Sequence, residues 1–299
     1  MRKVKSSVGD KVFDMLNLTL LLIFTLICIF PFYYVLINSI SSAKYVDTQQ
    51  VFFWPRGIQF DTYKEIFKLD RIGEALGVSI ARTVLGTLAT VIGAAIPGYI
   101  ITKKELPVRK FWYRYMVITM YFSAGIIPTY LNMKMLRLTN NFLVYVIPGF
   151  VTPFNMILVK TYIESLPASL EEAAMIDGAG FYIRFTKIVV PLIKPIIATV
   201  AVFGAVGQWN SYMDTVLYMS GNHFPTLQSI LYQFLNQSKV LQKMLMQGNA
   251  DKAASLMNNM STRTTRFAIT GVTVLPILFV YPFFQRYFTK GIMIGAVKG

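Results

Sequence analysis

The chain has 299 residues, 55% of them hydrophobic and only 14% charged, with a mean hydropathy of +0.51 and a net charge of +15. This is too apolar and too charge-poor for an ordinary soluble domain, so most of the chain is expected in lipid. The positive charge does not point to nucleic acid, because the basic residues sit at the ends of apolar segments without interleaved aromatics, and the single cysteine, Cys28, excludes an intrachain disulfide framework.

From the N-terminus, Arg2, Lys3 and Lys5 precede an apolar run, the pattern of a secretory signal peptide. The stretch from Leu16 to Ile40 nevertheless contains Pro31-Phe-Tyr-Tyr34 and lacks a clean small-x-small cleavage site. A retained span behind a short basic tail, residues 1–15, is therefore expected, with residues 16–299 forming one membrane domain. Six segments approach the roughly 20 helical residues that cross a hydrocarbon core. They lie at about 16–38, 76–101, 112–131, 142–162, 188–219 and 267–288. The second and fifth contain Gly93-Ala-Ala-Ile-Pro97-Gly98 and Pro191-Leu-Ile-Lys-Pro195, read as interruptions. Such breaks are tolerated in lipid only where neighbouring helices or a water-filled path satisfy the freed backbone, so these two helices are expected to face the bundle interior.

Basic residues set the expected orientation. With the N-terminus in the cytoplasm, inner segments 1–14, 103–114, 160–194 and 286–299 hold 16 Lys and Arg over 75 residues. Outer segments 39–75, 132–140 and 220–266 hold 12 over 93, which is the expected sign of bias and makes both termini cytoplasmic.

Within the inner loop 164–187, Ser169-Leu-Glu-Glu-Ala-Ala-Met-Ile-Asp-Gly-Ala-Gly180 reads as a two-turn helix. Pro167 stops the preceding segment, Ser169 and Glu172 have capping-box spacing, and Asp177-Gly178 is a helix stop. Ala173 and Ala174 keep one side thin for another surface to approach, while Glu171 and Glu172 place charge in the first turn. Gly178 and Gly180 let the chain reverse into Phe181 to Val190. On these grounds alone the element is either a docking knob or an interfacial linker helix.

The fifth span carries Gln208-Trp-Asn-Ser-Tyr-Met-Asp214, costly groups in lipid unless they pair or face water. Two amides, two aromatic rings, a hydroxyl and a carboxylate in one stretch make Gln208, Trp209, Asn210, Ser211, Tyr212 and Asp214 candidates to line a polar path. The alternative is an interfacial aromatic belt, with Asn210 and Asp214 joining helices. For Arg82 and Asn132, snorkelling or interhelical bonding is the better reading. The outer loop 220–266 is too long for a turn, and Leu231 to Gln237 and Ala250 to Met260 read as short amphipathic helices of a cap. The sole histidine, His223, lies in this loop with no second ligand or paired carboxylate nearby in sequence, and there is no P-loop, nucleophile elbow or His-Glu-x-x-His. Enzymatic readings fare poorly on this sequence.

Glu172-Ala-Ala-x-x-Asp177-Gly178-Ala179, followed by Ile188 and Pro191, resembles the EAA loop of permease subunits of binding-protein-dependent ABC importers. The wider string through Pro195 and the ending Gln285 to Gly299 are similar to the maltose-type, MalG-like carbohydrate branch. The resemblance implies an all-α membrane protein of six transmembrane helices with a cytoplasmic coupling helix, the type I importer permease fold. It implies that Leu170, Glu171, Glu172, Ala173, Ala174, Asp177, Gly178 and Ala179 couple to a separate ATPase subunit, which binds ATP and Mg, while this chain binds no cofactor. Further implied partners are a second permease, a different chain, and an extracellular or periplasmic solute-binding protein contacted by the outer loop. The oligosaccharide cargo, the bacterial cytoplasmic membrane and its lipid follow from the same resemblance. The loop looks long for the family, which points to a larger oligosaccharide, and residues 61–74 read as a flat contact surface or an interfacial helix. An ion-gradient-driven secondary transporter should show paired broken helices in two halves, and no internal repeat is evident. A non-transporting membrane scaffold predicts no substrate movement.

Overall fold

The computed structural model describes residues 8–68, 71–221, 223–246 and 263–278. The described residues are helical, without a strand, and fall into two compact units. One comprises residues up to 69 with 234–273, the other 70–233 with those from 274 onward.

In the first unit, α1 (Val8–Ser39) runs far beyond the length of a bilayer crossing, and only Ile37, Asn38 and Ser39 at its end are buried. Its apolar side chains point outward on all sides, as in Phe13, Leu20 and Leu26 at 69%, 67% and 66% exposure. A helix apolar all round is stable only in lipid or under other protein. The hydroxyls of Thr19 and Thr25 donate to the carbonyls of Met15 and Leu21, so neither is left unbonded in that setting. After α1 come α2 (Ala43–Asp47) and α3 (Asp61–Lys68). Ile37, Val46 and Val51 form a small core, and the Ser39 and Tyr63 hydroxyls hydrogen-bond at 2.7 Å. The segment expected at 61–74 is thus helical to Lys68, while Glu74 already belongs to the next helix.

In the second unit, α4 (Ile72–Thr102) is followed by α5 (Arg109–Tyr121) and α6 (Ile126–Met135). A 3₁₀ turn, Phe142–Tyr145, leads to α7 (Pro153–Glu164) and the short α8 (Ser169–Ile176). The chain then forms α9 (Phe181–Ile183), a π turn over Arg184–Val189 and α10 (Val190–Leu192). Beyond Ile193 lie α11 (Lys194–Asn210) and α12 (Met213–Tyr218), and α13 (Leu227–Met246) starts in this unit and runs on into the residues of the first. Helix α4 is central, packing against α7 and α11. Ala94 and Tyr99 on α4, Val159 and Ile163 on α7, and Val189, Ile193 and Val200 form a core cluster.

The interruption expected in the second segment is absent, since α4 continues through Gly93 and Pro97. Gly93 serves close approach instead: a Cβ there would lie 1.8 Å from the Phe150 carbonyl oxygen. The fifth segment does break, with Phe181–Leu192 and Lys194–Asn210 meeting at 79°. Its C-terminal end breaks again at Ser211 and Tyr212, before α12. Two further breaks depart from the expectation: 112–131 is divided between α5 and α6, and 142–162 consists of the 3₁₀ turn, an irregular stretch and the 12-residue α7. Among the described residues, Val8–Ser39 and Ile72–Thr102 are each long and apolar enough to cross a membrane, and the bent pair Phe181–Leu192 with Lys194–Asn210 adds a third if counted as one span. Residues 263–278 are helical at the start of the sixth expected segment; its remainder, the basic tail before Val8, the Ala250 to Met260 helix and the Gln285 to Gly299 ending lie outside the described residues. The expected helix at Leu231 to Gln237 is part of the longer α13.

Candidate functional site

Helix α8 has the expected length but starts differently. Ala168, in the α region and with no side-chain cap, precedes the first turn, and the amides of Glu171 and Glu172 donate to its carbonyl at 3.1 and 3.0 Å. Ser169 is therefore already helical and the capping box does not form. The far end is a Schellman stop: Ala179 N donates to Ala174 O at 2.9 Å and Gly178 N to Met175 O at 3.1 Å. Gly178 holds φ +78°, left-handed backbone for which glycine carries no Cβ penalty. The boundary of α8 is thus fixed by a hydrogen-bonded stop at its C-terminus and not by a side-chain cap at its start.

The two adjacent glutamates diverge because consecutive helical residues are rotated by about 100°. Glu172 is exposed, with Ala173, Met175, Ile176, Asp177 and Gly178, whereas Glu171 turns inward and Ala174 is buried. Lys103 Nζ donates to both Glu171 carboxylate oxygens, Tyr99 OH donates at 2.6 Å, and Arg184 Nη1 approaches at 3.4 Å. Burial raises the Glu171 pKa, but hydrogen bonds from Lys103 and Tyr99 and the charges of Lys103 and Arg184 outweigh it and hold the carboxyl below its ordinary value. The Tyr99 ring has Lys103 Nζ 3.9 Å above its centroid and the rings of Phe181 and Phe185 each at 4.9 Å. Beside this cluster lies a cleft of about 320 Å³ whose walls include Lys103, Leu166, Leu170, Met175 and Arg184. Leu170, Met175 and Ile176 stand 45%, 49% and 87% exposed on a short helix, a surface suited to a protein partner.

Toward the other end of α4, Arg82 is 1% exposed. Its Nε and Nη2 donate to Gln208 Oε1 at 3.2 and 3.0 Å, and Nη1 donates to Ser211 O at 3.2 Å. The Asp214 carboxylate accepts from Nη1 at 3.1 Å and from Nη2 at 2.5 Å. The guanidinium lies 4.2 Å over the Tyr145 ring, and Gln208 Nε2 donates to Tyr145 O at 2.9 Å. Arg82 is placed where α11 ends and its carbonyls are negative, while Asp214 sits in the first turn of α12, where a carboxylate is favoured. Of the two readings expected for Arg82, snorkelling and interhelical bonding, the structure has the second. The other fifth-span candidates divide. Trp209 is buried, Asn210 is exposed and accepts from Gln228 Nε2 at 3.1 Å, and Tyr212 stacks on Tyr232 at 4.7 Å. Asn132 is exposed on α6.

Tyr99, Lys103, Arg184 and Tyr145 were not singled out from the sequence. Tyr99 and Lys103 are spaced i, i+4 at the end of an apolar run, a usable hint, but nothing local links them to Glu171. Among the described residues no group of three or more His, Cys, Asp or Glu gathers in a metal-binding arrangement.

Comparison with known proteins gives the family and the fold. Residues 3–294 match the family described as binding-protein-dependent transport system inner membrane component. The polygalacturonan/rhamnogalacturonan transport system permease protein YtcP of Bacillus subtilis (strain 168) is 36% identical over 290 residues, covering 97% of this chain and 99% of that protein. Protein LplC of the same organism is 34% identical over 292 residues, covering 97% and 96%. Among solved structures, a chain of a bacterial ABC transporter involved in the import of the acidic polysaccharide alginate is similar with a TM-score of 0.82 and 31% identity, over 96% of this chain and 100% of that one.

Proposed function

The chain belongs to the family of binding-protein-dependent transport system inner membrane components, and from that premise we propose that it carries an oligosaccharide through the membrane and takes its driving motion through α8. It is a transmembrane permease subunit of an ABC importer, working with a solute-binding protein, a second permease and a separate ATPase, and is not itself an enzyme. In this reading ATP and Mg are bound by the ATPase and no cofactor by this chain. The alginate importer and the polygalacturonan/rhamnogalacturonan permease support a carbohydrate cargo.

The observation that carries the coupling role is a short, stopped helix that turns apolar side chains and Glu172 outward while Glu171 anchors it from behind. The exposed face of Leu170, Glu172, Ala173, Met175, Ile176 and Asp177 seats on the ATPase; Ala174 supports it from below, and Gly178 with Ala179 ends it. The membrane domain then comprises six passes with both termini cytoplasmic: α1, α4, the α5–α6 pair, the stretch from Phe142 through α7, the bent fifth segment, and the segment that includes 263–278. The path reading rests on Asn210, Ser211 and Tyr212 at the outer break of the fifth segment. Gln208 and Asp214 shape that region by gripping Arg82, and Trp209 by filling the core behind it.

In the complete complex in proteoliposomes, Glu172→Lys and Gly178→Asp should abolish ATP-driven sugar uptake while sugar binding by the solute-binding protein stays normal. Wild-type uptake in both variants would overturn the coupling role.

A further inference from the structure

We propose that Glu171 and Lys103 form a clamp that makes α8 and α4 move as one body, so that Lys103 is a positioning residue for transport although it faces away from the exposed side of α8. The proposal rests on the reading of α8 as the coupling helix and assigns the device that transmits its motion. A two-turn helix on a loop could swivel about Pro167 and Ala168 without moving the membrane segments. Three observations oppose such swivelling.

First, the partners of Glu171 come from two separate places in the chain. Tyr99 and Lys103 are at the cytoplasmic end of α4 and Arg184 opens the π turn, so α8 is tied both to the helix it must move and to the segment that follows it. Second, the pair is shielded. Lys103 and Glu171 side chains are 12% and 21% exposed, which gives their attraction a lower local dielectric than a solvated surface pair has. Third, the aromatic stack closes the same joint: Tyr99 donates to Glu171 through its hydroxyl while its ring contacts Phe181 and Phe185. From this joint α4 runs without a break to Arg82, which grips the α11–α12 break. Tyr99 lies 17 residues beyond Arg82, about 25 Å along the helix. A displacement of α8 is therefore delivered to a continuous rod rather than absorbed in a loop.

The test uses the reconstituted complex with its ATPase, second permease and solute-binding protein, and measures ATPase retention and sugar imported per ATP hydrolysed. Lys103→Met keeps side-chain length and removes the charge; it should retain the ATPase in the complex yet lower sugar per ATP about tenfold, the scale of a typical coupling free energy. Lys103→Arg should restore most of the ratio. Glu171→Gln should also lower it, and Lys103→Met with Glu171→Gln should be no worse than Lys103→Met alone, because the two residues act as a unit. A wild-type ratio in Lys103→Met, losses that multiply in the double variant, or release of the ATPase would overturn the clamp. Failure of the underlying reading looks different: if α8 does not couple, Glu172→Lys also transports normally, whereas failure of the clamp alone leaves Glu172→Lys defective and Lys103→Met normal.

Discussion

Glu171 and Glu172 are chemically identical neighbours with opposite surroundings, one held by a lysine, an arginine and a tyrosine, the other exposed. Arg82 and Asp214 show the same dependence on surroundings in a more apolar setting. The buried guanidinium is satisfied only because Gln208, the Ser211 carbonyl and Asp214 converge on it. Asp214→Ala removes the counter-charge and leaves the guanidinium buried, a change that costs about 3 kcal/mol. It should lower the melting temperature of the purified complex clearly. The double variant Arg82→Met with Asp214→Leu should recover most of that loss, since a buried ion pair exchanged for apolar groups is often close to neutral. A double variant as unstable as Asp214→Ala would show that the arginine contributes more than it costs to bury.

At the scale of elements, α4 carries glycines of different meaning. A Cβ at Gly93 would strike the Phe150 backbone, whereas at Gly77 it meets nothing within 4 Å. Gly93→Ala should therefore destabilise by about 2 kcal/mol through overpacking. Gly77→Ala should stabilise by roughly 0.5 kcal/mol, because alanine is the better helix former. Thermal unfolding of the two purified variants would display the opposite signs. Only part of this was legible beforehand. Gly93 and Pro97 read as an interruption because both weaken helices locally, yet the packing of α7 and α11 against α4 keeps it whole. The reverse holds at 142–162, expected as one span: Pro148-Gly149 and Pro153 lie within it, and the helix is broken there. In α8, the Asp177-Gly178 stop was correct and the capping box was not. A stop depends on the glycine's own backbone freedom, while the Glu172 carboxylate could turn back to the cap or outward, and it turns outward.

At the scale of the whole molecule, the proposed six-pass arrangement sets Lys104 and Met135 on opposite faces of the membrane, either side of the broken third segment. Both are exposed. In a Cys28→Ser background, Lys104→Cys should react with a membrane-impermeant maleimide only from the cytoplasmic side, and Met135→Cys only from outside. Reaction of both from the same side would contradict the arrangement. The sequence by itself determined the class of the protein, through long apolar runs, flanking basic residues and the motif from Glu172 to Ala179, because each of these lies within a window of tens of residues or fewer. The tertiary structure decided which glutamate anchors α8 and what Arg82 is for. Tyr99 and Lys103 lie 72 and 68 residues from Glu171, and Arg82 lies 132 from Asp214. Charges that far apart become partners only when helix packing brings them together and excludes the water that would otherwise solvate each alone.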